Sequence, residues 1–284
     1  MSHRETLNSL LPASLLERLR EAQIVTKSEN GISKSNFRLS NFNLPHIGLK
    51  KQTAERLYYI HSAFPTKDDG VFFGPDTYLF LDYLKVALEY VKEDPALNGT
   101  LVDVCCGSGG GAIRLAQTFP ISKVIGIDLN QKAIDLAPIN ATLAKCSQVE
   151  FAQSDLYAAI KGQEKEISVI VSNPPYIASS RRGDVPVYAD GGANGGLALP
   201  MRIVEEGVQL LSKGGLFIMY TGTPISSKEP GRDPFLEGLQ AIKDTELVEY
   251  TILNPDMWAE ELGTGAYVDV GRIQVVGAVL RKTS

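Results

Sequence analysis

From Leu101 to Thr221 the chain repeats one pattern, a short apolar run, a turn and a stretch of helical spacing, and that alternation leaves few folds open. The apolar runs fall at 101–104, 123–127, 148–152, 168–172 and 215–221, and helical spacing occupies 111–118, 131–144 and 199–211. Parallel strands need a crossover between them, and helical crossovers cover both faces of the sheet, so continuous apolar runs of this kind read as buried parallel strands. The expected fold class is α/β, a doubly wound sheet. After Gly222 come a connection rich in Pro, Gly and charge, a helix near Pro234 to Lys243, and two strands at 246–253 and 272–280, close enough to pair.

Upstream, residues 1–98 are expected to form a mainly helical cap, and 99–284 the binding domain. Leu7, Leu10, Leu11, Leu15, Leu16 and Leu19 stand at helical spacing, with Pro12 in a first turn or a kink. Lys27 to Gly48, rich in Ser and Asn, reads as irregular, with room for one short hairpin. Lys50 to Phe64 reads as helix, apolar at Ala54, Leu57, Tyr58 and Ile60 and ended by Pro65 and Asp68-Asp69-Gly70. Asp76 then reads as the N-cap of a helix running to about Glu93.

With 284 residues and 44% hydrophobic content, the chain can bury one good core and an appendage. A net charge of −5 gives no basic footprint, and Arg181-Arg182 is offset by Asp184 and Asp190, so nucleic acid is disfavoured and a small molecule is the expected partner. Cys105, Cys106 and Cys146 lack metal-ligand spacing and read as free thiols, so no metal is expected. No signal peptide or membrane span is visible, and a cytoplasmic protein follows. The oligomeric state is not set by these features.

The stretch Leu101–Gly111 is a strand, a glycine-rich turn and a helix start. Dinucleotide sites use such a turn too. Asp103, inside the strand end, decides between ligands. A carboxylate there repels a pyrophosphate and attracts the ammonium of a methionyl arm, which favours S-adenosylmethionine (AdoMet). The next apolar run ends at Asp128, where an acid can accept the ribose hydroxyls, and the one after ends at Asp155-Leu156, an acceptor for the adenine amine beside an apolar wall. The cofactor-binding residues expected are Phe73, Asp103, Cys105, Gly107, Gly109, Asp128, Leu129, Asp155, Leu156 and Asn173.

On the next strand, Val169–Val171 runs into Asn173-Pro174-Pro175-Tyr176. Two prolines fix two φ angles and remove two donors, so the turn is stiff. It offers the Asn173 amide oxygen, the Pro174 carbonyl and the Tyr176 ring, which suit a planar nitrogen donor beside a cation. Asn173, Pro174 and Tyr176 are the expected catalytic residues.

With these motifs in view, residues 99–221 resemble the class I methyltransferase fold, a Rossmann-like sheet of seven strands ending in an antiparallel pair. Asn173-Pro174-Pro175-Tyr176 is the signature of its amide- and adenine-nitrogen branch. Within that branch the chain is similar to release-factor glutamine methyltransferases in Gly126–Asn130, Ser154–Leu156, Asp190-Gly191-Gly192, Gly195–Leu197 and Pro75-Asp76-Thr77. It departs from them at Gly74 and Tyr78, where that family has arginine and glutamate. The segments Tyr220–Ile225 and Gly231–Phe235 resemble a bacterial group of small-domain methyltransferases, which brings in the azetidine-2-carboxylate synthases.

The resemblance implies methyl transfer to a nitrogen of a small molecule or an amide side chain. A second chemistry fits the same pocket: attack of AdoMet's own amine on its γ-carbon, giving azetidine-2-carboxylate and methylthioadenosine. In that reading Phe72, Phe73, Tyr78 and Phe80 flank the entrance and Tyr176 faces it, and a ring face would help to hold the sulfonium. A third reading is an AdoMet-binding module without turnover.

Overall fold

The computed structural model describes residues 13–14, 17, 25–27, 33–35, 37–43, 56–62, 69–162, 166–179, 185–263 and 265–284. The leucine-rich helix expected around residues 7–19 and the Arg181-Arg182 pair with Asp184 lie largely or wholly outside them.

In chain order the strands are β1 (Val25–Lys27), β2 (Ser33–Ser35), β3 (Phe37–Asn43) and β4 (Arg56–Ser62), followed by helix α1 (Pro75–Val91). Then come β5 (Thr100–Val104), α2 (Gly110–Thr118), β6 (Val124–Asp128), α3 (Gln131–Leu143), β7 (Glu150–Gln153) and β8 (Ile167–Ser172). The chain closes with β9 (Ile177–Ala178), β10 (Asp190–Gly192), α4 (Ala198–Leu210), β11 (Leu211–Ser226), α5 (Pro234–Gln240), β12 (Thr245–Asn254) and β13 (Val270–Lys282).

Seven strands form one sheet in the order β12-β13-β11-β8-β5-β6-β7, in which only β13 runs against its neighbours. This is the doubly wound α/β sheet that the alternation predicts. Successive residues of β8 supply opposite layers: Val169 and Val171 pack with Leu81, Leu84 and Ile113 from α1 and α2, and Ile170 packs with Ile203 and Val204 from α4. The chain leaves β5 towards β6 and β7 and returns to β8 on its other side, so β5 and β8 meet at the switch of strand order. In open α/β sheets that is where a crevice opens beyond the carboxyl ends.

The extension differs from its expected form. Strand β4 stands where the spacing predicts a helix, paired antiparallel with β3 from Phe37↔Ser62 to Asn43↔Arg56. Leu57, Tyr58 and Ile60 fit a helical stripe, but Tyr58 is exposed between buried Leu57 and Tyr59, as a strand face requires. Fully buried Asn140 of α3 ties β4 to the core: its Oδ1 accepts the Ile60 N–H at 2.7 Å, and its Nδ2 donates to the carbonyls of Ile60 and Ser108 at 3.0 and 2.9 Å. Asn140→Ala strands these groups, at a cost of about 2–4 kcal/mol. A fall in Tm of about 5–10 °C is expected in calorimetry; an unchanged Tm would remove Asn140 as the tie.

Among the described residues, no helix is long and apolar enough to cross a membrane.

Candidate active site

Four strand ends and the start of α1 enclose a cleft of about 880 Å³. Asp103 sits at its floor, 1% exposed, with Oδ2 accepting the Ala112 N–H of α2 at 2.7 Å. Burial pushes its pKa up to about 8, the Ala112 N–H pulls it down, and the charge of Asp128 raises it further. The helix can approach this carboxyl because Gly111 has no Cβ, which would lie 2.7 Å from Oδ2.

Asp128 closes the turn from the next strand. Its Oδ2 accepts the Gly107 N–H and its Oδ1 the Asn130 N–H, both at 2.8 Å. Burial raises its pKa, and these backbone donors oppose the rise. Cys105 and Leu156 both take positive φ, 58° and 46°, and both line the cleft with Gly107, Leu129 and Asp155.

Two of the expected residues stand elsewhere. Gly109, at φ 89°, caps α2 and packs on Ala137 and Phe151 outside the cleft lining. Phe73 is buried against Tyr59, with ring centroids 4.9 Å apart, and against His61, while the cleft wall is formed by Phe72 and Phe80. Phe72 stacks on Tyr188, with ring centroids 5.5 Å apart, and both rings line the cleft. Its ring lies over Gly74, where any Cβ would displace it, so the arginine of the similar family would alter this wall.

Asn173 follows β8 directly, and the register Val104↔Ser172 brings it out beside the Cys105 turn of β5. The Ser172 hydroxyl donates to the Val104 carbonyl at 2.8 Å, fixing the two strand ends together. The glycines after Asp190 explain themselves here. Gly191 and Gly196, the latter at φ 92°, abut the backbone of Tyr176, and Gly222 abuts its ring. They form a collar that only residues without a side chain allow. Gly196→Ala would drive a Cβ into the Tyr176 carbonyl, and a loss of about 2–4 kcal/mol is expected in denaturant melts; wild-type stability would contradict the collar.

Sequence reasoning missed what holds Tyr176. Asp76 is not the cap of α1: Gly74 is, and its N–H donates to Thr77 Oγ1 at 3.3 Å. Asp76, 6% exposed, accepts from the Tyr176 hydroxyl and, at 2.8 Å, from the Tyr220 hydroxyl, both on Oδ1. Burial raises its pKa against those two donors. Trp258 Nε1 donates to the Tyr176 oxygen at 2.9 Å.

The donor set defines the ligand. Among the described residues lining the cleft, Asp76, Asp103, Asp128, Asp155, Asp190 and Glu261 are acids, and none is Lys, Arg or His. Among these described residues a phosphate would find no counter-charge. An ammonium and a sulfonium would, and Asp103 lacks only such a cation to ionise at neutral pH.

The model of the methyltransferase small domain matches residues 77–229, more than half of the chain. The chain belongs to that family. It is a class I methyltransferase in fold, and its cofactor is S-adenosylmethionine. The release factor glutamine methyltransferase of Escherichia coli (strain K12) is 32% identical over 155 residues, covering 52% of this chain and 53% of that protein. The ribosomal protein uL3 glutamine methyltransferase of Burkholderia pseudomallei (strain K96243) is 27% identical over 161 residues, covering 52% of each. The chain thus spans about half the length of these curated relatives. Among solved structures, TYW2 of P. horikoshii in complex with MeSAdo superposes with a TM-score of 0.52 at 14% identity, covering 80% of this chain and 69% of that one. That likeness speaks for the fold alone.

The relatives correct the expected partner. Those named for an acceptor are named for proteins, a release factor and uL3, not for small molecules. The net charge that set nucleic acid aside describes the whole surface, and it does not decide what enters an acidic cleft.

Proposed function

We propose that this methyltransferase transfers a methyl group to the nitrogen of an amide side chain, glutamine by kinship, presented by a protein. The observation that carries the reading is the pairing of β5 with β8, which sets Asp103 and Asn173 on adjacent strand ends at the switch of strand order. Asp103 would hold the methionyl ammonium, Asp128 the ribose hydroxyls, and Asp155 with Leu156 the adenine. When bound, AdoMet supplies an electrophilic methyl on a sulfonium. Asn173 Oδ1 and the Pro174 carbonyl would accept the amide N–H groups, orienting the nitrogen lone pair, so that the gain is chiefly positional. Residues 1–98 would act as a cap over the methionyl end, with Phe72 in its wall.

A second reading is cyclisation of AdoMet itself. It is favoured by the aromatic wall of Phe72, Phe80, Tyr176, Tyr188 and Trp258. One experiment separates the two: purified protein is incubated with AdoMet, with and without E. coli release factor, and the products are weighed. S-adenosylhomocysteine and a protein heavier by one methyl, only when the acceptor is present, are expected. Methylthioadenosine from AdoMet alone would replace methyl transfer by ring closure.

A further inference from the structure

We propose that Asp76 is a further catalytic residue, its carboxylate taking the proton from the nitrogen held at Asn173 and Pro174. The inference rests on the N-methyl transfer reading and assigns a group that reading leaves open. Three remote segments converge on this side chain: Tyr176 from the turn after β8, Tyr220 from β11 and, through Tyr176, Trp258 from the connection after β12. Both phenols donate to Oδ1, which leaves Oδ2 for the cleft that Asp76 lines.

A neutral side chain could bridge two tyrosines. A buried carboxylate with no described cation on the cleft wall is costly unless a positive charge arrives to meet it. That charge develops on the attacking nitrogen. As the nitrogen lone pair forms the new N–C bond, the methyl–sulfur bond breaks with its electron pair left on sulfur, and the N–H proton passes to Asp76. A neutral N-methyl amide and a neutral carboxylic acid result, and the acid returns its proton to solvent.

Calorimetry on the full chain tests this without an acceptor. Sinefungin carries an ammonium where the transferable methyl would lie; S-adenosylhomocysteine carries nothing there. The wild type is expected to prefer sinefungin by about tenfold or more, Asp76→Asn to abolish that preference with S-adenosylhomocysteine affinity kept, and Asp76→Glu to retain it. Asp103→Asn, which weakens both ligands alike, is the comparator. A preference unchanged in Asp76→Asn, or an equal loss of both ligands, overturns the role of Asp76. If neither nucleoside binds the wild type, the methyl-transfer reading falls and Asp76 falls with it.

Discussion

Asp103→Asn is expected to weaken S-adenosylhomocysteine binding by about 30-fold or more, because removing one member of a desolvated charge pair costs about 2–5 kcal/mol. The proton balance gives the same residue a second signature. Its carboxyl, pushed up to about 8 by burial, is protonated in the free protein at pH 7 and must ionise to meet an ammonium. Binding at pH 7 therefore releases about one proton, visible as a binding enthalpy that tracks the ionisation enthalpy of the buffer. Asp103→Asn is expected to lose that dependence. The sign in the free protein follows from the raised pKa: between the ordinary carboxylate range and about pH 8 the folded form holds a proton that the unfolded chain has lost. This group's contribution to stability therefore falls as pH rises through that window, and Asp103→Asn flattens the slope. Proton release that survives the substitution would place the cation elsewhere.

Asn173→Ala is expected to cut turnover by about 100-fold or more while leaving S-adenosylhomocysteine affinity within a few-fold. The amide oxygen sits where β8 ends, clamped to β5 through Ser172, so its loss frees the acceptor nitrogen to rotate without disturbing Asp103 or Asp128. Product formation followed by mass spectrometry, beside calorimetry of the same variant, separates the two effects. Turnover within about fivefold of wild type would remove Asn173 from the nitrogen's hold.

The sheet was readable because parallel strands buried on both faces leave continuous apolar runs, and β5, β6, β7 and β8 lie within a few residues of their expected ends. Asp103, Asp128, Asp155 and Asn173 line the cleft for the same reason, since a crevice opens where such strands stop. The place of Asp76 was not readable. Pro75-Asp76-Thr77 at a helix start has the composition of a cap, and its partners Tyr176 and Tyr220 lie 100 and 144 residues away. Strand β4 was hidden by Leu57, Tyr58 and Ile60, whose spacing suits a helix as well, and its pairing with β3 spans an interval that local pattern does not cross. Phe72 and Phe73 could not be told apart, because nothing in the pattern of the irregular segment before α1 says which of two adjacent rings faces the cleft.

The most direct measurement is a crystal structure of the chain with S-adenosylhomocysteine. Its ammonium is expected about 3 Å from the Asp103 carboxylate and its ribose hydroxyls on Asp128, with Asn173 beside the sulfur. A nucleoside seated outside this cleft, or Asp103 turned away with nothing against it, would contradict the assignment at its root.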